Sequence, residues 1–178
     1  MKTVLLVNGL PRAGKDTFAD FLVENYGFTK MSFANEMKNI ICRTLNISRV
    51  DLENFKNERV ELFADGKSII DFRALLQNFG TEAMKPVFGD GVWADILYKK
   101  IEELENKKIV VPDFRFLFEY QNSRDFDIKT ILIKDDRELP LVGHASDVEL
   151  YQNNFVFDLI IENDKTEKFF ETIDGVIK

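Results

Sequence analysis

Short apolar runs alternate along this chain with longer stretches in which apolar positions recur every three or four residues. Thr3 to Val7, Phe28 to Phe33, Lys108 to Val111, Ile128 to Ile133 and Phe157 to Ile161 have strand length and β-type composition, and each predicts a strand. Asp16 to Tyr26, Ala34 to Leu45, Ser68 to Lys85, Val92 to Glu105, Phe114 to Arg124 and Lys165 to Ile173 predict amphipathic helices. Trp93, Leu97, Ile101 and Leu104, for example, fall on one face. Strands that alternate with helices predict a parallel sheet covered on both sides, and the uninterrupted Ile109-Val110-Val111 reads as a central strand buried on both sides. The expected fold is α/β, a doubly wound parallel five-stranded sheet flanked by helices.

Composition narrows the picture. A length of 178 residues, 45% of them hydrophobic and seventeen of them Phe, suits one domain spanning 1–178 with a substantial core. The lone cysteine, Cys42, excludes an internal disulfide framework and a multi-Cys zinc site; set among Ile40, Ile41 and Leu45, it reads as a small buried hydrophobe. A single histidine, His144, excludes most His-based chemistry. With 31 acidic against 24 basic side chains the net charge is -7, so no broad basic face is expected and polymeric nucleic acid is not an expected partner. No apolar run approaches the ~18 residues that span a bilayer, and Met1-Lys2 leads straight into a strand without an export pattern. A cytoplasmic protein with no membrane association is expected.

The most specific feature follows the first predicted strand at once: Gly9-Leu10-Pro11-Arg12-Ala13-Gly14-Lys15-Asp16-Thr17, a phosphate-binding loop, or P-loop. Gly9 and Gly14 admit the backbone conformations that turn successive N–H groups, through Ala13 to Thr17, toward phosphate oxygens at a helix N-terminus. Lys15 then reaches the β- and γ-phosphates. An ordinary strand-to-helix turn is the plainer reading, but both glycines, the lysine and the strand-helix context coincide. Ser or Thr usually follows the lysine as a magnesium ligand; here Asp16 does, with Thr17 next. A carboxylate can serve Mg²⁺ directly or through water, and an acid in the first helical turn is equally favoured by the macrodipole.

A P-loop by itself fits a kinase, a GTPase or a motor ATPase. The chain has no Asn-Lys-x-Asp guanine signature and little room for mechanical attachments. A small-molecule kinase also needs an acceptor pocket and a charged lid that excludes water. Lys134 to Gly143, with Asp135, Asp136, Arg137 and Glu138, is the most charged loop and falls where a lid belongs, near 134–150, with Arg137 placed to close on phosphates. Ser146 and Glu149 read as a capping box that starts a short helix, which makes His144 a hinge hydrogen-bonder rather than a catalyst.

Further segments carry a resemblance. Ser32-Phe33-Ala34-Asn35-Glu36-Met37-Lys38, Arg73-Ala74-Leu75-Leu76-Gln77-Asn78-Phe79-Gly80-Thr81-Glu82, Trp93, and Val111-Pro112-Asp113-Phe114-Arg115-Phe116 with Glu119 resemble, in order and spacing, the motif set of phage-type deoxynucleoside monophosphate kinases. The loop ending in Gly14-Lys15-Asp16-Thr17 does so too. The resemblance runs from the first strand to His144-Ala145-Ser146-Asp147 and, more weakly, over Asp158 to Asn163. It implies a P-loop nucleoside monophosphate kinase-like fold, transfer of the γ-phosphoryl group of ATP to a dNMP to give ADP and dNDP in deoxynucleotide biosynthesis, and a requirement for Mg²⁺. For a phage-encoded protein the compartment is the host cytoplasm. Because the acceptor is already a phosphate oxyanion, no general base is needed, which suits a chain with one His.

On this reading Lys15 and Mg²⁺ hold the donor phosphates, joined by Arg137 and Asn163. Arg12 and Arg115 stabilise charge between donor and acceptor through their planar forks. Asp113, at the carboxyl end of the predicted central strand where ligands gather, holds a magnesium water or orients Arg115; a surface salt bridge is the plainer reading of Arg115. By resemblance, Phe33, Lys38, Arg73, Gln77, Gly80, Thr81 and Trp93 form the acceptor site in a helical segment near 34–105. Arg73 and Gln77 share a helix face. A glycine inside a regular helix costs about 1 kcal/mol against alanine, so Gly80 is expected to break the helix or admit a ligand to the backbone. Core packing accounts equally for Trp93 and better for Phe33; for Lys38, simple solvation on its helix is the alternative to touching the acceptor phosphate. The rivals are another small-molecule P-loop kinase, of phosphomevalonate or dephospho-coenzyme A type, and a regulatory protein that binds ATP without turnover. A homodimer is left open.

Overall fold

The computed structural model describes residues 1–55, 58–61, 69–123, 126–139 and 145–177. Along the chain these form β1 (Thr3–Asn8), α1 (Lys15–Tyr26), β2 (Thr29–Lys30), α2 (Asn35–Leu45), α3 (Arg49–Phe55), β3 (Arg59–Glu61), β4 (Ile69–Asp71), α4 (Phe72–Gln77), a π-helical turn (Asn78–Ala83), α5 (Lys85–Phe88), α6 (Val92–Glu103), β5 (Lys108–Val111), α7 (Leu117–Gln121), β6 (Asp127–Lys134), α8 (Ala145–Gln152), β7 (Leu159–Glu162) and α9 (Glu167–Ile177). The chain divides into two compact units, one of residues 1–33 and 97–178, the other of residues 34–96.

The first unit holds the five-stranded sheet, in the order β2-β5-β1-β6-β7. Every pairing in it is parallel. The expected α/β sheet is present, with β5, β1 and β6 in its interior; the unbroken apolar sequences of β1 and β5 fit that place, and Val4, Leu6, Val7, Ile109, Val110 and Val111 are all wholly buried. Phe18 and Leu22 of α1 and Phe169 and Ile173 of α9 pack with Val7, Val110, Ile133 and Ile161 in one core. Each such side chain contributes about 1.5–3 kcal/mol by leaving water. Gly27, in the left-handed region, ends α1 by donating its N–H to Leu22 O.

In the second unit, residues 34–96, a smaller core of Ile41, Cys42, Leu52 and Phe72 is ringed by Met37, Leu75, Leu76 and Phe79, so Cys42 is the buried hydrophobe expected. A short antiparallel hairpin, β3-β4, lies beside it in the chain. No helix of the described residues is long and apolar enough to cross a membrane.

Several boundaries differ from the periodicity, each for a local reason. The expected helix from Ser68 to Lys85 begins at Phe72 instead. Its β-branched Ile69-Ile70 pair forms β4, and Asp71 caps α4 by accepting the Ala74 N–H at 3.0 Å. Only Thr29 and Lys30 of the expected 28–33 strand join the ladder, because Asp113 draws Ser32 and Phe33 away from it. The helix expected from Phe114 starts at Leu117, since the residues before it form a braced turn. Helix α3 was unexpected, although Ser48 and Asp51 cap one another at its start, a pattern readable in the sequence. His144 and part of the expected lid, residues 140–144, lie outside the described residues, as does the Ser146 side chain with its capping box.

Candidate functional site

The P-loop leaves the carboxyl end of β1 and enters α1 with the geometry its glycines predict. Gly9 has φ +153° and Gly14, the N-cap of α1, φ +103°. A Cβ on Gly9 would stand 2.4 Å from the Ile133 carbonyl oxygen, and one on Gly14 2.3 Å from Asn163 Nδ2. Side chains are therefore excluded by strain and by space alike.

One donor from the loop itself and two distant in sequence hold the carbonyls of the loop. Lys15 Nζ donates to Gly9 O and Leu10 O, both at 2.7 Å. Arg137 Nη2 donates to Pro11 O at 2.8 Å, and Asn163 Nδ2 to Ala13 O at 2.8 Å. Asp135, its side chain 1% exposed, orients Arg137 by accepting from Nε at 2.9 and 3.0 Å and from Nη2. That guanidinium holds the Asp135 carboxyl below the usual carboxylate range. Asn163 is itself fixed by donating its N–H to Lys134 O at 2.7 Å. Asn163 and Arg137, expected from the sequence to be ligand groups, are here braces of the loop.

Lys15 is the electrostatic centre. Burial, then the nearby Arg115 charge, with Arg137 adding to it, push its ammonium down to about 8. Lys15 thus lies in the field of two further cations, Arg115 and Arg137, with Asp16 and Asp113 acting in the opposite sense. Ala13 is buried, its N–H turned back to Leu10 O at 3.0 Å, so it serves the turn. Arg12 and Thr17 are exposed, Arg12 with φ +66°.

Asp16 is 79% exposed and pairs with Lys30 at 2.9 Å, while Lys30 also reaches Asp20 at 2.9 Å. Asp113, after β5, accepts from Ser32 Oγ at 2.7 Å and from the Phe33 N–H at 3.0 Å. It therefore ties the β2 exit to the β5 exit. Among the described residues no three His, Cys, Asp or Glu side chains group into a metal cage. Phe33 is 4% exposed and edge-on to Tyr98, so the plainer core reading fits its surroundings.

Within residues 34–96 the expected acceptor residues sit on and around the π turn. Arg73 is exposed, and Gln77 and Thr81 are half-buried. Gly80 does not break the helix: the chain winds through it with wider hydrogen bonding, a form frequent at functional sites. A Cβ on Gly80 would meet Met37 Sδ at 2.5 Å. Trp93, 8% exposed, donates its indole N–H to Gly80 O at 3.0 Å and packs against Phe79. Lys38 pairs with Glu53 at 2.6 Å.

The sequence reading passed over Asn8 and Tyr151, took Glu149 only as a capping-box partner of Ser146 and named Glu119 only within the resembling motif. All four hold the turn that presents Arg115, and only Glu119, three residues past the helix N-cap, left a local signal.

No family model matches the sequence, and no curated protein matches it. Solved structures do share the fold. TT1252 from Thermus thermophilus aligns over 99% of this chain and 96% of its own, with a TM-score of 0.57 at 15% identity. A Chloroflexus aurantiacus protein aligns over 99% and 94%, with a TM-score of 0.52 at 13% identity. A dephospho-CoA kinase from Campylobacter jejuni aligns over 98% and 95%, with a TM-score of 0.49 at 20% identity. The first two establish the fold class: a parallel sheet with a P-loop after its first strand and helices around it.

Proposed function

We propose that this chain is an ATP-dependent deoxynucleoside monophosphate kinase, transferring the γ-phosphoryl group of ATP to a dNMP with release of ADP. The observation that carries the phosphotransferase part is the convergence of Lys15, Arg115 and Arg137 on a P-loop at the carboxyl edge of a parallel sheet. The ordered motif resemblance supports the acceptor class.

In this mechanism an oxygen of the acceptor phosphate forms the new bond to the γ-phosphorus while the bond to the β,γ-bridging oxygen breaks. ADP leaves with that electron pair. Neither step needs a general base. Lys15 and Arg137 bind the donor phosphates, and Arg12 and Arg115 neutralise charge along the transfer axis. Arg73, with Gln77, Thr81 and Lys38, holds the acceptor; Gly80 and Trp93 shape its pocket. Asp16 and Asp113 offer the all-oxygen donors that a hard divalent cation takes, and exposed Asp16, beside Lys15, fits that role with the phosphates as further ligands. Bound there, Mg²⁺ would neutralise phosphate charge. On this reading residues 1–178 act as one cytoplasmic domain, with a lid near 134–150.

The test is an ADP-release assay against a panel of dNMPs, NMPs and unrelated phosphorylated acceptors. Magnesium-dependent turnover with at least one dNMP is expected. Turnover only with a non-nucleotide acceptor would sink the substrate class, and ATP binding without turnover would favour a regulatory protein.

A further inference from the structure

The turn between β5 and α7 is restrained more heavily than a helix start requires. Each of its four consecutive N–H groups has an acceptor. Phe114 donates to Val7 O at 3.2 Å. Arg115 and Phe116 donate to one carboxyl oxygen, Glu119 Oε2, at 2.7 and 3.0 Å. Leu117 donates to Glu149 Oε1 of α8 at 2.9 Å. The Phe114 carbonyl accepts from Asn8 Nδ2 at 2.7 Å, and Asn8 in turn accepts from Tyr151. Tyr98 hydroxyl holds the Glu119 carbonyl at 2.6 Å.

A serine or aspartate at position 116 would satisfy the helix start from the surface. Instead Phe116 is the N-cap, and a glutamate only 4% exposed does the work from inside. Burying a carboxyl group costs free energy even when it is well bonded, so capping alone accounts poorly for the choice. What the arrangement fixes is the backbone of the one exposed cation in the turn, Arg115, whose charge is felt at Lys15.

We propose that Glu119 is a positioning residue: its buried carboxyl holds the Arg115 and Phe116 N–H groups, with Glu149 holding Leu117, and so keeps the Arg115 guanidinium directed at the phosphate site beside Lys15. The inference rests on the donor half of the proposed function and is independent of the acceptor.

The experiment is a double-mutant cycle on the Kd of Mg·ATP in the full chain. Glu119→Met keeps the volume and removes the acceptor oxygen; it should weaken ATP about tenfold, the scale of leaving buried N–H groups without their acceptor. Glu119→Gln, which retains an acceptor oxygen, should recover most of that loss. In an Arg115→Ala background Glu119→Met should change Kd by less than about twofold, because the group it acts through is gone. An equal loss in both backgrounds, or no loss in either, would overturn the proposal. Should Glu119→Met fail to fold, Glu149→Leu enters the same cycle, with a loss of about threefold expected that likewise vanishes without Arg115. Wild-type protein that binds ATP without dNMP-dependent turnover would refute the acceptor class and leave the cycle decisive. Wild-type protein that does not bind ATP would overturn both.

Discussion

The P-loop and the π turn each place a glycine where a Cβ would collide, yet the two collisions differ in kind. At Gly9 the obstacle is the Ile133 backbone, in the strand beside β1; at Gly80 it is the sulfur of a flexible Met37 side chain. The P-loop is clamped at its carbonyls by Lys15, Arg137 and Asn163, whose positions are set by three separate parts of the chain. One indole N–H, from Trp93, pins the π turn at the Gly80 carbonyl. A site for phosphates has to be rigid before the ligand arrives, because preorganised dipoles stabilise charge without reorganising. On the proposed function the π turn shapes an acceptor pocket, and such a turn can adapt.

The largest test of this contrast removes the cation at the centre of the clamp. Lys15→Ala should lower kcat by two or more orders of magnitude, about 3 kcal/mol in the barrier, while the variant stays folded. Near-normal kcat in a folded variant would remove Lys15 from the chemistry. The pH dependence adds a signed expectation. Lys15 titrates near 8, so the free protein loses this charge as pH rises, and kcat/KM for ATP should turn downward above about pH 8. A flat profile from pH 7 to about pH 9.5 would contradict it.

Replacing each glycine tests the contrast directly. Gly9→Ala meets backbone and an unfavourable φ, and should cost about 3 kcal/mol or more in unfolding free energy. Gly80→Ala meets a side chain that can swing aside and gains about 1 kcal/mol of helix propensity, so its net change should stay within about 1 kcal/mol. Denaturant titration of both variants gives the two numbers. Equal losses would erase the distinction.

The same division explains what could be read from residue order. The P-loop was legible because its chemistry is local: two glycines, a lysine and a strand-to-helix junction within nine residues. The braces were not, because Asn163 reaches Ala13 across 150 positions and Arg137 reaches Pro11 across 126. Nothing in their neighbourhoods marks those partners. Periodicity also located the sheet and most helices, but it ran a helix through Ile69 and Ile70, where β-branching and the Asp71 cap decide otherwise. The π winding left no trace, since α and π turns draw on the same residues and differ only in which carbonyl each N–H reaches.

Arg73→Ala comes next in size. Arg73 is exposed in the 34–96 unit, so the fold should tolerate its loss, with Tm nearly unchanged. If it neutralises the acceptor phosphate in ground and transition states alike, KM for dNMP should rise about tenfold with ATP affinity unaltered. An unchanged KM would move the acceptor pocket elsewhere in the chain.

The smallest effect expected on ligand binding concerns Trp93, and it asks whether the pin of the π turn is also a ligand contact. Trp93→Phe keeps most of the apolar bulk but removes the indole N–H, leaving the buried Gly80 carbonyl without the donor it has now. Such a loss costs about 1 to 2 kcal/mol. In a chain of this length that is about 4 °C of Tm. Because the N–H is already engaged and the ring is 8% exposed, the variant should lose more in stability than in dNMP affinity, which should change less than about threefold. A normal Tm combined with a large loss of dNMP binding would reverse the assignment and make the indole a ligand platform. Adding Gly80→Ala to Trp93→Phe then asks whether the pin matters to the winding. If the N–H holds the wider turn open against relaxation to an α-helix, alanine should be better tolerated without the pin than with it, giving a coupling of about 0.5 kcal/mol or more.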